Sequence, residues 1–378
     1  MPVIPKITDV FVTLNVNHPV PQKSLKNTAI FVKGTTQAYK EYADLDSIEA
    51  DFDATTSVYK TAQTMLGQDP YPELIPVITY VQATQAPAPG VQTTPTSNGA
   101  TVTTTGDTAP TAGIAKAAYD YFYNNWEFAV LADYNKDDAL ALADLIETGS
   151  YDAKGFHILF LQFDKANQAD ADAFAKYTRT FTFYHTDDSE YYAAALAAKG
   201  GQPTVGSISW KFVGNLADVT PENVEGGLLA SDIDALTSKH LITYVTKGNA
   251  NNQTDDVNAA GMYIDTVHGM DWTKSNIESS VQNTLNGSGD GTKLPFSPVG
   301  LATIKQAIDS VLSQGYNQGI VRQNADTGKP DFGSNVPGIT EISPKDWQER
   351  NLKGLTFQYG PDGAVNKVHI NGGVDEAY

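Results

Sequence analysis

The sequence of 378 residues contains no cysteine. This absence excludes a disulfide framework, a cysteine-based zinc or iron–sulfur site and a cysteine nucleophile. Charged residues are also sparse, at 18%, against about 25% in typical globular domains. Acids outnumber bases among them, and the formal net charge is −19. Because such a chain repels polyanions, we expect neither nucleic acid nor an anionic membrane as a partner.

Long apolar runs are missing as well. No stretch approaches the ~18 consecutive apolar residues that a membrane-spanning helix requires. The first nine residues include two prolines and Asp9, and they do not resemble the basic start and apolar core of a signal peptide. We therefore expect a protein that is made without a leader and is not inserted into a membrane.

Both ends of the chain show the alternation that is typical of strands with one apolar face. At the start, the alternating segment ends at a proline-rich break, and the first forty residues carry five lysines against one acid. This basic segment could dock on acidic surface of its own subunit or of a neighbour. At the other end, the alternating segment is Val365–Asn371. The apolar positions of the two segments are Val10, Val12, Leu14, Val368 and Ile370.

Between residues 27 and 200, apolar runs alternate with amphipathic segments. The runs that predict buried strands are Thr28–Lys33, Leu74–Val81, Trp126–Leu131, Phe156–Phe163 and Phe181–His185. The predicted helices are Ser57–Leu66, Asp137–Glu147 and Tyr191–Lys199. This alternation predicts a largely parallel α/β sheet. A Thr- and Pro-rich stretch at 83–112 interrupts it and predicts a peripheral exposed loop, in which Thr101–Thr105 could form a hairpin strand.

The pattern changes after about residue 200, where helix signals dominate. Asp271 is placed to cap a helix that carries apolar residues at intervals of four. Ser297-Pro298 predicts the start of a second helix, which we expect to stop at Gly315. Ser343-Pro344 repeats this start, and Asp346 completes a capping box. We expect an α+β domain here.

No set of side chains for catalysis can be assembled from the sequence. The six histidines are dispersed, and no HExxH motif occurs. The glycine-rich run Gly287–Lys293 follows a predicted helix rather than a strand, and Thr292 separates its last glycine from the lysine. A flexible turn explains this run better than a phosphate loop does. We therefore expect a structural building block that is not an enzyme and that holds no cofactor or metal.

Several runs occur in a characteristic order between Ser238 and Val321, namely KHLITYVT, GMYIDTVHGMDW, NIESSVQNTL and KLPFSPVGLATIKQAIDSVLSQGYNQGIV. This series resembles the C-terminal half of DUF3383-type phage proteins, which are similar to contractile tail sheath proteins. The runs DLDSIEADF, SVYKTAQTML and VNKVHINGGV extend the resemblance to both ends of the chain. The positions that match the family pattern are Tyr244, Gly261, Ile264, Asp265, Gly269, Asp271, Trp272, Lys293, Pro295, Phe296 and Gly300.

The resemblance implies a structural subunit of a contractile phage tail sheath. It implies a mainly parallel α/β domain at 27–200, an α+β sheath domain at 201–354, and extended strand arms at 1–26 and 355–378. Sheath subunits of this kind stack helically as hexameric rings around a tail tube and meet baseplate and tail terminator proteins. They are assembled in the host cytoplasm, remain in the tail of the virion, and contract to drive the tube through the host envelope.

The resemblance also implies two sets of interface residues. The terminal arms of such proteins add strands to sheets of neighbouring subunits, which assigns the five apolar arm positions given above to subunit interfaces. The C-terminal half faces the tube, which makes Lys305 and Lys274 candidates for tube-facing charges on two helices.

Three other classes stay open from the sequence. A tail tube or baseplate protein would be a smaller, β-rich chain without the α/β half. A secreted surface protein of a Gram-positive cell would share the low pI, the missing cysteine and the Thr-rich loop, but it would carry a signal peptide. An α/β hydrolase would need a nucleophile, a histidine and an acid in one site.

Overall fold

A computed structural model describes residues 24–83, 92–95, 101–104, 109–149, 156–287, 291 and 293–369. Its strands are β1 Thr28–Lys33, β2 Ala38–Tyr42, β3 Ile75–Tyr80, β4 Gln92–Pro95, β5 Thr101–Thr104, β6 Phe128–Leu131, β7 Ile158–Phe163, β8 Thr180–Tyr184, β9 Leu241–Lys247, β10 Ala250–Gln253, β11 Phe332–Asn335 and β12 Thr356–Tyr359. Its α-helices are α1 Leu45–Glu49, α2 Ser57–Leu66, α3 Gly113–Asp120, α4 Lys136–Thr148, α5 Tyr192–Gly200, α6 Ala230–Ser238, α7 Ile264–Asn286, α8 Pro298–Gln318 and α9 Pro344–Gln348.

Eight of the strands form one sheet in the order β10-β9-β8-β7-β6-β1-β3-β2. The central strands from β9 to β3 run parallel, whereas β10 and β2 pair antiparallel at the two edges. This arrangement confirms the mostly parallel α/β sheet predicted from the sequence. Because β9 and β10 come from residues 241–253, the sheet continues past residue 200, where the sequence pattern changes.

The central strands are apolar along their whole length because the sheet is covered on both faces. In β1, Ile30 and Val32 pack into the cluster that includes residues of α2 and α5. Ala29 and Phe31 point to the opposite face, where they join residues of α3 and α4. The strands and helices predicted for 27–200 all form close to their expected bounds, and α2 has the same bounds as predicted. The hairpin strand expected at Thr101–Thr105 also forms, as β5 paired with β4.

The C-terminal part is built on the helix pair α7–α8. Apolar side chains from both helices form one cluster, and the antiparallel ribbon β11–β12 packs onto it through Phe332, Phe357 and Tyr359. The helix predicted at Ser343-Pro344 forms as α9, where Ser343 Oγ accepts a hydrogen bond from the N–H of Asp346.

Two helix ends differ from the sequence-based expectation. Helix α7 begins at Ile264, so Asp271 lies inside it rather than capping it. Helix α8 continues past Gly315 to Gln318 and ends at Gly319, which has a φ of +84°. Gly315 is instead a packing position, since a Cβ there would lie 3.2 Å from Val321 Cγ2 and 3.4 Å from the ring of Trp272.

Candidate assembly interface

The ribbon β11–β12 is a small sheet on the C-terminal part of the fold that can accept further strands. Its register runs from Phe332 opposite Tyr359 to Asn335 opposite Thr356. Within the described residues, each of its strands pairs only with the other. A two-stranded ribbon is marginally stable in water by itself, and its outer edges offer backbone N–H and C=O groups to an incoming chain. One of its faces is fixed against α8, so the open positions are the two edges.

Lys305 lies at the seam between α8 and this ribbon. Its Nζ is 2.6 Å from Asp309 Oδ2 and 3.0 Å from Ser334 Oγ, and its side chain is 43% exposed. Ser334, in β11, also donates a hydrogen bond to Asp309. The lysine is thus half-exposed, and a carboxylate of its own helix offsets part of its charge.

Lys274 points into the subunit, which overturns the expectation that it faces a partner. The residue is 4% exposed, and its Nζ lies 4.8 Å above the ring of Phe156. Burial lowers the pKa of Lys274, while the nearby carboxylates of Glu278 and Asp271 act in the opposite direction. Helical periodicity did not reveal this burial because α7 is enclosed on more than one side, and its buried set includes several polar residues.

A buried ion pair joins α7 to the sheet. Asp271 accepts two hydrogen bonds from the guanidinium of Arg179, each 2.7 Å long, and both side chains are almost fully buried. Arg179 immediately precedes β8 and also donates to the carbonyl of His157 at 3.0 Å. Burial acts to lower the pKa of Arg179, but the charge and hydrogen bonds of Asp271, together with the charges of Glu127 and Glu147, outweigh it, and the net shift is upward. No pattern in the sequence identifies this pair, because the residues three and four positions from Asp271 on the helix include the polar His268, Lys274 and Ser275.

The described part of the C-terminal arm is not a strand. Residues 362–369 have no regular secondary structure, so the predicted strand Val365–Asn371 does not form over residues 365–369. Val365 and Val368 are both more than 70% exposed. No strand among the described residues pairs with this segment, which explains the difference from the alternating pattern. Val10, Val12, Leu14 and Ile370 lie outside the described residues.

The described residues offer little for chemistry. A cavity of about 400 Å³ opens at the carboxyl ends of β6 and β7, where ligands bind in many parallel sheets. Its carboxylates come from Asp133, Asp164 and Asp188, which are exposed or half-exposed. Over the described ranges, no group of three His, Asp or Glu residues is placed to hold a metal ion. No helix in that part of the chain combines the length and apolarity needed to cross a membrane.

Comparison with solved structures shows a fold that is shared over nearly the whole chain. A chain of the anti-feeding prophage baseplate matches with a TM-score of 0.65 at 11% identity, covering 99% of this chain and 100% of that one. The contracted helical sheath of the anti-feeding prophage matches with a TM-score of 0.62 at 13% identity, covering 98% and 100%. The contracted PVC sheath complex, from an extracellular contractile injection system, matches with a TM-score of 0.65 at 7% identity, covering 98% of each chain.

These matches show that the chain has the fold of proteins found in contractile sheath structures. No family model matches the chain, so the resemblance to DUF3383-type proteins has no such support, and no curated protein matches it.

Proposed function

We propose that this chain is a structural subunit of a contractile sheath, which polymerises around an inner tube and shortens to drive that tube forward. The observation that carries the proposal is the shared fold with chains from the sheath structures of two contractile systems, over 98% of this chain in each case. Because a common fold alone does not specify function, the extent of the match matters. It includes the α7–α8 part and the ribbon as well as the α/β sheet.

Strand exchange through the ribbon would link the subunits. Terminal segments of a second copy, with the apolar positions Val10, Val12, Leu14, Val368 and Ile370, would add strands to β11–β12 and give it the partners that a two-stranded ribbon needs. The basic start of the chain favours docking on the acidic body of a neighbour, weakly and in a salt-dependent way. Contacts of this head-to-tail kind build helical stacks of rings, and hexameric rings agree with the resemblance noted above.

Deletion of residues 1–20 tests this mode of assembly. We expect a truncated chain that is folded and monomeric by circular dichroism and light scattering, but that no longer forms tubes in negative-stain images. The full-length chain under the same conditions is the control. Full-length tubes from the truncated chain would show that the N-terminal segment is not the link.

Lys305 stays a candidate for contact with the tube. The substitution Lys305→Glu should weaken co-assembly with an acidic tube protein, since it reverses a half-exposed charge beside the ribbon. Lys60→Glu, on the exposed side of α2, is a matched charge reversal in the α/β half. Equal sedimentation of both variants with the tube protein would remove Lys305 from the interface.

A more specific question is whether the sheath belongs to a phage tail or to another contractile injection system. The sequence resemblance favours a phage tail, and hence a virion, whereas the matching structures come from the anti-feeding prophage and the PVC injection system. A baseplate role is the second candidate, because one matching chain comes from a baseplate structure. The presence of the α/β half therefore does not separate sheath from baseplate. Long tubes from the purified chain would favour the sheath, and isolated rings or discs would favour the baseplate.

A further inference from the structure

The C-terminal segment 362–369, hereafter the strap, runs back across its own subunit. At its start, the N–H of Asp362 donates to the carbonyl of Ile320 at 2.9 Å. Further along, Asn366 Nδ2 donates to Asp256 Oδ1 at 2.7 Å, and Asn366 Oδ1 accepts from Ser209 Oγ at 3.3 Å. The strap's contacts with the described residues are thus a few polar ones, and none of them is a sheet ladder.

The strap turns a polar side chain toward the body and its apolar side chains toward solvent, whereas burial of apolar surface would favour the opposite orientation. Asn366 faces inward to Asp256, which is 1% exposed, while Val365 and Val368 face solvent. Lys367 adds an ion pair with Asp255, with Nζ 3.7 Å from Oδ2, but the lysine side chain is 67% exposed. Exposed pairs of this kind contribute little. The hydrogen bond between Asn366 and Asp256 is therefore the principal contact that sets this orientation.

Asp256 is a buried carboxylate, and the hydrogen bonds that it accepts stabilise its charged form. Burial, together with the neighbouring carboxylates of Asp265 and Asp255, raises its pKa to about 6. Its two oxygens have separate partners, since Oδ2 accepts from the N–H of Lys211 at 3.3 Å and Oδ1 accepts from Asn366. When Asn366 leaves, Asp256 Oδ1 stays buried without a hydrogen-bond donor, which costs free energy. This cost holds the strap in place, although the strap contributes little apolar packing.

We propose that residues 362–369 form a strap that the Asn366–Asp256 hydrogen bond latches onto the subunit, and that opens independently of the body. A latched strap withholds the C-terminal segment, with its two outward valines, from a second copy until assembly displaces it. This regulatory meaning rests on the proposed function. The latch itself is a property of the soluble subunit, because segments with few contacts open locally without global unfolding.

An exchange of the two polar groups tests the latch. Asn366→Asp sets a second carboxylate against Asp256 and should open the strap. The double substitution Asn366→Asp with Asp256→Asn restores the pair with the roles reversed. The new amide at position 256 can donate to the carboxylate introduced at position 366 and still accept from Lys211, and that carboxylate can still accept from Ser209. Both variants have the same sequence around Lys367, so cleavage after Lys367 by trypsin compares them without a change of the cut site.

We expect Asn366→Asp to be cleaved after Lys367 about tenfold faster than the double variant, in line with the strength of a hydrogen bond to a charged group. The rate is measured on the full soluble chain at pH 8 and is divided by the rate of cleavage after Lys274, which is buried in α7 and becomes accessible only when the body unfolds. Equal ratios in the two variants would overturn the latch. Tube formation by the wild-type chain is measured in a separate experiment. Failure to form tubes would count against the proposed function, whereas the ratio of cleavage rates tests the strap alone.

Discussion

The buried pair of Arg179 and Asp271 should be the most sensitive ionic contact among those described. Replacing Asp271 with alanine leaves the guanidinium of Arg179 buried, with the carbonyl of His157 as a remaining acceptor and only the charges of Glu127 and Glu147, which influence it less than Asp271 does, in its surroundings. Removal of one partner from a buried pair costs about 3–5 kcal/mol, because the remaining charge has lost its compensation. We therefore expect Asp271→Ala to lower the free energy of unfolding by about that amount, measured by urea denaturation and followed by tryptophan fluorescence.

Removal of both charges should cost much less than removal of one. The double variant Arg179→Met with Asp271→Leu eliminates both desolvation penalties and leaves the net charge around the buried Lys274 unchanged, so it should be more stable than Asp271→Ala. Asp331→Ala is the matched control, since Asp331 pairs with Arg322 at 2.7 Å but the arginine is 58% exposed, and its loss should change the free energy of unfolding far less. Two results would contradict this prediction. In the first, Asp271→Ala lowers the free energy of unfolding no more than the control does. In the second, the double variant lowers it by the sum of the two single changes.

Two further predictions concern a buried carboxylate and a tight packing contact. The pKa of Asp256 is raised from 3.8 to about 6, so the stability associated with its protonated form is complete below about pH 4 and is lost as the pH rises through 6. The stability of the wild type relative to Asp256→Asn should therefore fall by about 2.5 kcal/mol between pH 4 and pH 7, and a pH-independent difference between the two urea midpoints would contradict it. Gly200→Ala should destabilise by about 1–3 kcal/mol, because a Cβ there would lie 2.8 Å from Cε3 of Trp210. Gly333→Ala, whose nearest neighbouring atom would be 4.0 Å away, should change the midpoint little, and equal effects of the two substitutions would refute the packing argument.

The sequence predicts the parallel sheet well because both faces of that sheet are covered. Continuous apolar runs such as Thr28–Lys33 and Phe156–Phe163 have few other interpretations in a chain with alternating helices. Strands with weaker patterns were missed. The edge strand Ala38–Tyr42 is half-exposed, and Ala250–Gln253 is polar, so neither shows the apolar run that identifies a buried strand.

Predictions about the candidate interface were less successful, and for a physical reason. The sequence predicts an exposed Lys274 and a helix-capping Asp271, because charged side chains normally lie at the surface. Their burial depends on partners far away in the chain, Arg179 in the case of Asp271, and periodicity along one helix contains no information on such partners. The strap is a similar case, since the alternation in Val365–Asn371 indicates an apolar face but not the strand with which it pairs.

The contacts of the described residues divide between a well-packed body and a weakly held C-terminal strap. Within the body, the sheet and α7 are joined by a buried pair with two hydrogen bonds, and such a pair constrains orientation more narrowly than apolar packing does. The C-terminal strap is held mainly through Asn366 and leaves Val365 and Val368 exposed. The proposed sheath role requires this division, because the body would have to resist deformation while the connecting segments move. The same division makes the two parts separable by experiment, because substitutions at Asp271 should act on unfolding and substitutions at Asn366 should act on the strap alone.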